Sequence, residues 1–437
     1  MAILDNEVRV LLKQNKNFRN VWAGETTAHF GTQLTNFLLP LVAVTALHAS
    51  GTGVGLISAV QFIPIVLLSL VAGVIVDRYP PRRTLVITSV ARGAALGVLG
   101  LVQAADGLTL GHIVAAAAVI GTASVFYEVA YQSTIPKIVP VESIAPANGL
   151  HQATYSVSQL AGPSVAGFLV GKLGLSPALT VTAALFVGAT MSAALLRGVE
   201  APGVPRQSAL RTIGSGLRYT WSLRPIRDLC TQAGLSNLHE QCFLTVFLVF
   251  AVRELDLSGT VVGAIIGIGS IGALVGSLLA ARLAARSTVG RVLTAGVILA
   301  AVGLLLVPVA VQLDIAVPVL VACAFIVNGF GVALFNVFAV SLRQAIPPDH
   351  QLGAVTASYR LVALGTLPVG AFIGGALCDA LTPGTAIWVV GLSYLIVSCW
   401  LLFSPLRSAT TLEQARTLGA RADSDAPDAE RAPTTTE

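Results

Sequence analysis

The sequence predicts an all-α membrane protein with twelve transmembrane helices arranged as two six-helix pseudo-repeats. Three observations lead to this fold class. The composition is too apolar for a protein surrounded by water, the chain contains twelve apolar runs of membrane-spanning length, and residues of the first half recur in the second. A chain with these properties places most of its length inside a lipid bilayer.

The composition excludes an ordinary soluble domain. Of the 437 residues, 55% are hydrophobic and only 11% are charged, whereas about a quarter of a typical soluble domain is charged. So few charges cannot cover a surface in water, so lipid must surround much of the protein. The 5 cysteines show no metal-ligand spacing and imply no disulfide framework. Neither a metal site nor a cofactor is predicted.

Twelve apolar runs are long enough to cross a membrane. A bilayer core about 30 Å thick requires about 20 apolar residues per helix, and charged residues, prolines and glycines separate the runs. The predicted spans are 21–47, 54–76, 85–104, 109–131, 148–171, 178–197, 232–252, 259–282, 290–312, 317–340, 354–378 and 385–404. Because their number is even, both ends of the chain are predicted on the same side of the membrane.

The basic residues predict which side that is. If the N-terminus is cytoplasmic, the outward loops contain only Lys172 and Arg253, and the other 24 of the 26 basic residues lie inside or near inner helix ends. Basic residues are retained on the cytoplasmic side during insertion. The sequence therefore predicts a multi-pass protein of the cell (plasma or inner) membrane with both termini in the cytoplasm.

The spans and the segments between them define the domain organisation. Residues 1–20 are a polar cytoplasmic segment without a cleavable signal peptide. Two six-helix bundles, 21–197 and 232–404, are joined by a cytoplasmic linker, 198–231. In the linker, apolar residues recur at helical period beside arginines, which predicts an amphipathic helix on the anionic inner leaflet, with a plain linker as the alternative. The polar tail, 405–437, is predicted to be disordered.

Residues of the first bundle recur in the second at an offset of 208. The tripeptide Ser-Gly-Thr at 50–52 is repeated at 258–260, and Pro163 matches Pro368 with the offset drifting by a few residues. The chain therefore resembles a duplicated six-helix unit. Two such repeats enclose a site near the membrane midplane and move against each other to expose it to alternate sides.

The loop after the second span carries a glycine, an aspartate and three arginines. These are Gly73, Asp77, Arg78, Arg82 and Arg83. The loop resembles the signature sequence between spans 2 and 3 of the major facilitator superfamily. The resemblance implies the major facilitator fold, in which the signature loop acts as a conformational latch.

The fifth span carries Gly162 and Pro163 followed by Gly167, a pattern similar to the antiporter motif of exporters in the same superfamily. That motif ordinarily has a second glycine where this chain has Ala166. Stretches near residues 17–19, 216–219 and 342–344 narrow the resemblance to the branch that includes the enterobactin exporter and macrolide and multidrug efflux proteins. The resemblance covers about residues 15–405 and implies export.

The resemblance assigns a role to the loop charges. Asp77 is expected to cap the positive N-terminus of span 11, near residues 353–356, and Glu128 to pair with a loop arginine, so that the inner faces of the two bundles latch together. Solvated loop charges that merely set the topology are the alternative. Arg92 and Arg360 are either latch partners or snorkelling residues.

Two polar faces run along predicted spans. On span 1, Glu25, His29, Gln33 and Asn36 share one helical face, and on span 7 the polar residues include Asn237, Glu240, Gln241 and Thr245. Such faces are costly in lipid and are expected to line an aqueous cavity, or else to hydrogen-bond between helices.

A carboxyl group in the cavity can carry a proton between the two sides of the membrane. Glu240 is the leading candidate for proton coupling. Glu25 is the second, and is predicted to lie closer to bulk water.

The function expected from these features is secondary active export of amphipathic small molecules, of drug, antibiotic or siderophore type, by proton antiport with alternating access. An importer or symporter of a small solute and a non-transporting receptor are the alternatives, and a membrane-embedded enzyme is disfavoured because His239-Glu240 lacks the second histidine of a metalloprotease helix. The expected partners are a small-molecule substrate, protons and membrane lipid, with no nucleic acid, and the protein is expected to be monomeric.

Overall fold

The computed structural model describes residues 11–76, 78–198, 217–348 and 351–408, and all regular structure in these ranges is helical. In chain order the helices are α1 (Lys16–Thr45), α2 (Gly51–Val76), α3 (Pro81–Ala104), α4 (Leu110–Ile138), α5 (Ile144–Leu173), α6 (Leu175–Ala194), α7 (Arg224–Arg253), α8 (Gly259–Arg286), α9 (Val289–Leu313), α10 (Val317–Ala345), α11 (Leu352–Gly365), α12 (Leu367–Ala380) and α13 (Pro383–Cys399). Most of the predicted linker helix and tail, 199–216 and 409–437, lies outside the described residues.

The prediction of a helical membrane protein is confirmed. Within the described ranges, ten helical segments are long and apolar enough to cross a membrane, and α11 and α12 together form one of them. The other two long helices, α1 and α5, contain 30 residues each and coincide with the remaining two predicted spans. At about 1.5 Å per residue they reach across a bilayer, so the count of twelve spans rests on these two more polar helices.

Several helix ends extend beyond the predicted spans, and two differences have a clear physical reason. Helix α7 begins at Arg224, well before the predicted start at 232, because its charged first turns interrupt the apolar run without interrupting the helix. In these turns the buried carboxylate of Asp228 accepts a hydrogen bond from the Ser404 hydroxyl at 2.6 Å. The predicted single span 354–378 is broken at Thr366, since Pro368 lacks the backbone N–H needed to continue the helix.

Successive spans alternate in direction, with α11 and α12 counted as one span, and this defines two ends of the bundle. The near end is the one at which α1 begins, and the far end is the one at which α1 ends and α2 begins. Equivalent helices of the two halves pack in equivalent ways: α2 contacts α4 as α8 contacts α10, and α3 contacts α6 as α9 contacts α13. Helices α2 and α8 also start at Gly51 and Gly259, 208 residues apart. The internal repeat of the sequence is therefore a repeat of structure.

The halves meet chiefly along two helix pairs, α2 with α12 and α5 with α8. Both contacts bring glycines together in the far part of the bundle. A Cβ atom added to Gly167 on α5 would lie 3.2 Å from the Cα atom of Gly263 on α8, and one on Gly55 would lie 3.2 Å from the Cα atom of Gly375 on α12. Small residues allow such close approach of backbones in membranes, so the far end is closed.

Candidate transport cavity

A cavity separates the two halves and opens at the near end. Its wide chamber has a volume of about 760 Å³ and is lined by near-end segments of α4, α5 and α11 and by α7. A deep chamber of about 510 Å³ lies beside it, between α1, α2, α5, α7 and α8. Tyr155, Asn237 and Leu364 line both chambers, so the two chambers adjoin each other. The far end is closed by the glycine contacts, and a solute can therefore enter only from the near end in this conformation.

The structure places the polar faces of α1 and α7 on the cavity wall. His29 lines the wide chamber, Gln33, Asn36 and Gln241 line the deep one, and Asn237 reaches both. Some of these groups also bond between helices, since Asn36 accepts a hydrogen bond from Gln61 Nε2 at 2.7 Å. The two alternatives raised by the sequence, cavity lining and interhelical hydrogen bonding, thus apply to the same face.

The break between α11 and α12 also faces the cavity. It frees the carbonyl oxygen of Ala363, which accepts hydrogen bonds from Asn237 Nδ2 at 2.7 Å and from the Thr366 hydroxyl at 3.1 Å. The Thr366 hydroxyl also lies 2.8 Å from the carbonyl oxygen of Gly234 on α7. Backbone groups within a membrane need such protein partners. The broken helix is therefore fixed to α7, and Leu364 and Leu367 beside the break line the deep chamber.

Glu240 lies on the wall of the wide chamber, half-buried, in the C-terminal half. Its Oε1 atom accepts a hydrogen bond from Asn328 Nδ2 at 2.8 Å, and the same Nδ2 atom donates to the carbonyl oxygen of Ala300 at 3.1 Å. The buried ring of Tyr394 lines the chamber beside it and stacks on His239 at 5.3 Å. The carboxyl group is thus both held by protein donors and reachable from the cavity.

Glu25 is more deeply buried than the sequence predicted. Its side chain is fully buried within the N-terminal half, so it is not a shallow, snorkelling residue. Its Oε1 atom is 2.8 Å from His29 Nε2 and 3.6 Å from His151 Nδ1, on α5. Both histidines line the wide chamber, which places Glu25 directly behind the cavity wall. His29 contacts Glu25 because residues four apart share a helix face, whereas His151 approaches from another helix.

Arg92 is neither a latch partner nor a snorkelling residue. Its side chain is 2% exposed, and its guanidinium lies 4.1 Å from the centre of the Tyr127 ring and 4.6 Å from that of Phe186. A hydrogen bond of 3.5 Å joins Arg92 Nη1 to the hydroxyl of Thr32. A buried cation of this kind is held by aromatic faces and neutral acceptors. Arg360, by contrast, is exposed at the mouth of the cavity.

The predicted latch residues lie at the near end. Asp77 is outside the described residues, and the side chains of Arg78, Arg82 and Arg83 are exposed. Glu128 lines the wide chamber and accepts a hydrogen bond from Gln132 at 2.5 Å; within the part of the chain that the structure describes it makes no ion pair with an arginine. No atom lies within 4 Å of a Cβ atom added at Gly73, so this position has room for a side chain. Among the described latch residues, the exposed arginines and Glu128 are therefore not joined in this conformation, whose near end is open.

The residues of the antiporter motif lie where α5 contacts other helices. A Cβ atom on Gly162 would lie 2.6 Å from the Gln33 side chain of α1, and Pro163 lines the deep chamber. Gly167 accepts a hydrogen bond at its carbonyl oxygen from the Thr260 hydroxyl of α8 at 2.9 Å. The small residues of the motif thus let α5 pack closely against α1 and against α8 of the opposite half.

Charged residues also join the halves at the far end, and sequence reasoning missed them. Asp379, at the end of α12, accepts hydrogen bonds from the backbone N–H groups of Gly51 at 2.7 Å and Thr52 at 2.8 Å, at the start of α2. A carboxylate is favourable at the positive end of a helix. Arg253 donates to the carbonyl oxygens of His48 and Ala49. The signal in the sequence that could have revealed Asp379 is its position directly after an apolar run.

Comparison with known proteins agrees with this architecture. The sequence model of the family described as transmembrane secretion effector matches residues 12–427. Multidrug efflux pump Tap of Mycobacterium tuberculosis is 27% identical over 343 residues, covering 74% of this chain and 78% of Tap. Macrolide efflux protein A of Streptococcus pyogenes is 22% identical over 399 residues, covering 89% and 95%.

The fold also matches solved structures. The crystal structure of the nucleoside transporter NupG superposes with a TM-score of 0.67 at 14% sequence identity, covering 89% of this chain and 98% of that one. A likeness at this identity concerns the fold. Together with the family match over nearly the whole chain, it confirms the resemblance found in the sequence: the protein is a membrane transporter of the major facilitator superfamily and belongs to its transmembrane secretion effector family.

Proposed function

We propose that the protein exports amphipathic small molecules across the cell membrane in exchange for protons, by alternating access. The observation that carries the proposal is the position of Glu240, an ionisable carboxyl group on the wall of a cavity between two halves that are closed at one end. The names of the relatives, multidrug and macrolide efflux proteins, support export and this class of substrate. Both termini are proposed to be cytoplasmic, which makes the near end the inner one.

The lining of the cavity suits an amphipathic solute. Amide groups of Gln33, Asn36 and Gln241 lie in the deep chamber together with the aromatic rings of Phe37 and Phe62. Pockets that bind drug-sized molecules combine apolar and aromatic walls with a few polar groups that orient the ligand. This cavity has that composition. Its described lining residues include no cluster of basic groups that would select a strongly anionic solute.

Proton exchange follows from competition for the same space. A protonated Glu240 is neutral and attracts a cationic substrate less strongly than the carboxylate does, although it still forms hydrogen bonds. Substrate entering from the cytoplasm would then displace the proton, and a proton entering from outside would displace the substrate. Asn328, which donates to Oε1 of Glu240, holds the carboxyl group in place at the cavity wall. The cycle needs no further ion site.

Export is tested by expression in a bacterial host that lacks its own efflux pumps. We expect cells that express the protein to accumulate less of at least one cationic dye or macrolide than cells with an empty vector, and the difference to vanish when an uncoupler collapses the proton gradient. Fluorescent dyes and radiolabelled macrolides provide the measurement. Greater accumulation would show an importer, and equal accumulation across a broad panel would favour a receptor.

The orientation has its own test. Because 24 of the 26 basic residues sort to one side, we expect alkaline phosphatase and green fluorescent protein fused after Arg407, or inserted within residues 200–225, to report a cytoplasmic location. Insertion after Ala105, at the far end, serves as the control and should report the opposite side. A periplasmic signal from either of the first two positions would contradict the proposed topology.

A further inference from the structure

Four buried polar atoms without hydrogen-bond partners of favourable geometry meet at one point of the N-terminal half. They are both carboxylate oxygens of Glu25, Nε2 of His29 and Nδ1 of His151, considered against all described residues. Buried polar atoms are nearly always satisfied, so a group of four at one place indicates a ligand that supplies the missing interactions. Two of these atoms, His29 Nε2 and Glu25 Oε1, lie 2.8 Å apart, at ion-pair distance, and an ion bound by both would replace this direct contact.

The three side chains have the chemistry of a metal site. Their candidate ligand atoms all lie within 4.8 Å of one another. Ligands bound tetrahedrally at about 2.0–2.1 Å from an ion lie roughly 3.3 Å apart, close to the 3.6 Å between Glu25 Oε1 and His151 Nδ1. Two imidazoles and one carboxylate suit Zn²⁺, Co²⁺, Ni²⁺ or Fe²⁺ and leave open positions for water.

The surroundings favour a cation and give it access. Among the described charged groups that act on His29, two are carboxylates, those of Glu25 and Glu128, and one is the guanidinium of Arg92. That guanidinium is engaged by two aromatic rings and Thr32. Both histidines are part of the cavity wall, so an ion can reach the site from the wide chamber.

Neighbouring rings fix the orientation of the two histidines. Tyr131 stacks on His151 with ring centres 4.8 Å apart, and Tyr155 meets His29 edge-on at 5.2 Å. Ligands held by a surrounding shell bind metal more tightly than mobile ones. We propose that Glu25, His29 and His151 form a binding site for one divalent transition-metal ion, with donor atoms Glu25 Oε1, His29 Nε2 and His151 Nδ1.

The site is tested by metal binding to the purified full-length protein in detergent, without a polyhistidine tag and after treatment with a chelator. Equilibrium dialysis against Zn²⁺, followed by elemental analysis, is expected to give one ion per chain. Co²⁺ in its place should give the visible absorption bands of nitrogen and oxygen coordination. Glu25→Gln and His151→Gln should each weaken Zn²⁺ binding at least tenfold, since each removes a ligand and not merely a supporting residue.

The matched control is His239→Gln, which makes the same substitution at a buried histidine on α7, in the other half. It should bind Zn²⁺ as the unchanged protein does. Zn²⁺ should also raise the unfolding temperature of the unchanged protein and of His239→Gln, but not that of His151→Gln. If His151→Gln does not elute as a folded protein, His29→Gln replaces it.

Absence of bound Zn²⁺, or binding that the Glu25 and His151 substitutions leave unchanged, would overturn the proposal. Binding is measured without transport, so the result is independent of whether the protein exports its substrate.

Discussion

Glu240→Gln is expected to reduce proton-driven export to the level of cells with an empty vector while still allowing substrate to bind, more weakly where the substrate is cationic. Glutamine has the shape of a protonated glutamate and keeps the ability to accept the hydrogen bond from Asn328 Nδ2, which is 2.8 Å from Oε1. It cannot bind or release a proton. The variant should therefore occupy one state of the proposed exchange cycle permanently and bind substrate without turnover.

The measurement combines dye efflux, with and without an uncoupler, and binding of the same dye to purified protein. Glu142→Gln is the matched control, because Glu142 is exposed at the near end and lies outside the described cavity lining. It should export at the rate of the unchanged protein. If Glu240→Gln exports normally and stays sensitive to the uncoupler, the proton carrier is another residue. Glu25 would be the next candidate and Glu128 the one after it.

The membrane made much of the fold predictable. Every backbone polar group must be satisfied within the bilayer, which leaves long helices as the only structure for this chain, and charges mark where the helices leave it. The starts of α2 and α8 therefore lie close to their predicted positions. The prediction failed at Arg224, where a helix continues through charged residues. An apolar run marks only the part of a helix that lies inside the bilayer, and the helix itself can extend beyond it.

The break in span 11 was predictable in principle. Pro368 was identified as the equivalent of Pro163, yet the two prolines act differently. Helix α5 continues through Pro163, whereas the chain at Pro368 divides into two helices. What decides between these outcomes is the set of partners available to the freed carbonyl groups, here Asn237 and Thr366. Asn237 lies on another helix, and helical period along span 11 does not reveal it.

The same limit applies to the cavity. Helical period placed His29, Gln33 and Asn36 on one face of α1, because residues three and four apart share a face. It did not indicate that His151 would meet Glu25, since those residues come from different helices 126 positions apart in the chain. The depth of Glu25 was wrong for the same reason: burial depends on what the other helices place around a residue.

Gly375→Val is expected to abolish export and to hold the far end open. In the closed far end, the backbone of Gly375 on α12 lies directly against α2, and an added Cβ atom would come within 2.9 Å of the carbonyl carbon of Gly51. Backbone cannot move aside as a flexible side chain can, so the closed arrangement cannot form. Each half keeps its own packing, because this contact joins the halves and does not lie within either of them. The variant should therefore insert and fold.

Gly97→Val is the matched control, since nothing lies within 4 Å of a Cβ atom at Gly97. Efflux of dye measures transport, and labelling of Leu248→Cys reports the far end. Leu248 lines the deep chamber, and the label is a membrane-impermeant thiol reagent added to intact cells that express a variant without the five natural cysteines. Gly375→Val should label many times faster than Gly97→Val and export no dye.

Asp379→Asn should change labelling in the same direction by a smaller factor. It weakens the carboxylate's contact with Gly51 and Thr52 without a steric clash, and loss of a helix cap typically costs about 1 kcal/mol, less for an exposed group screened by solvent. A change of about threefold in the labelling rate is therefore expected, against a far larger one for Gly375→Val.

Normal export by Gly375→Val with unchanged labelling would mean that transport does not require the α2–α12 contact, and alternating access at this far end would have to be abandoned.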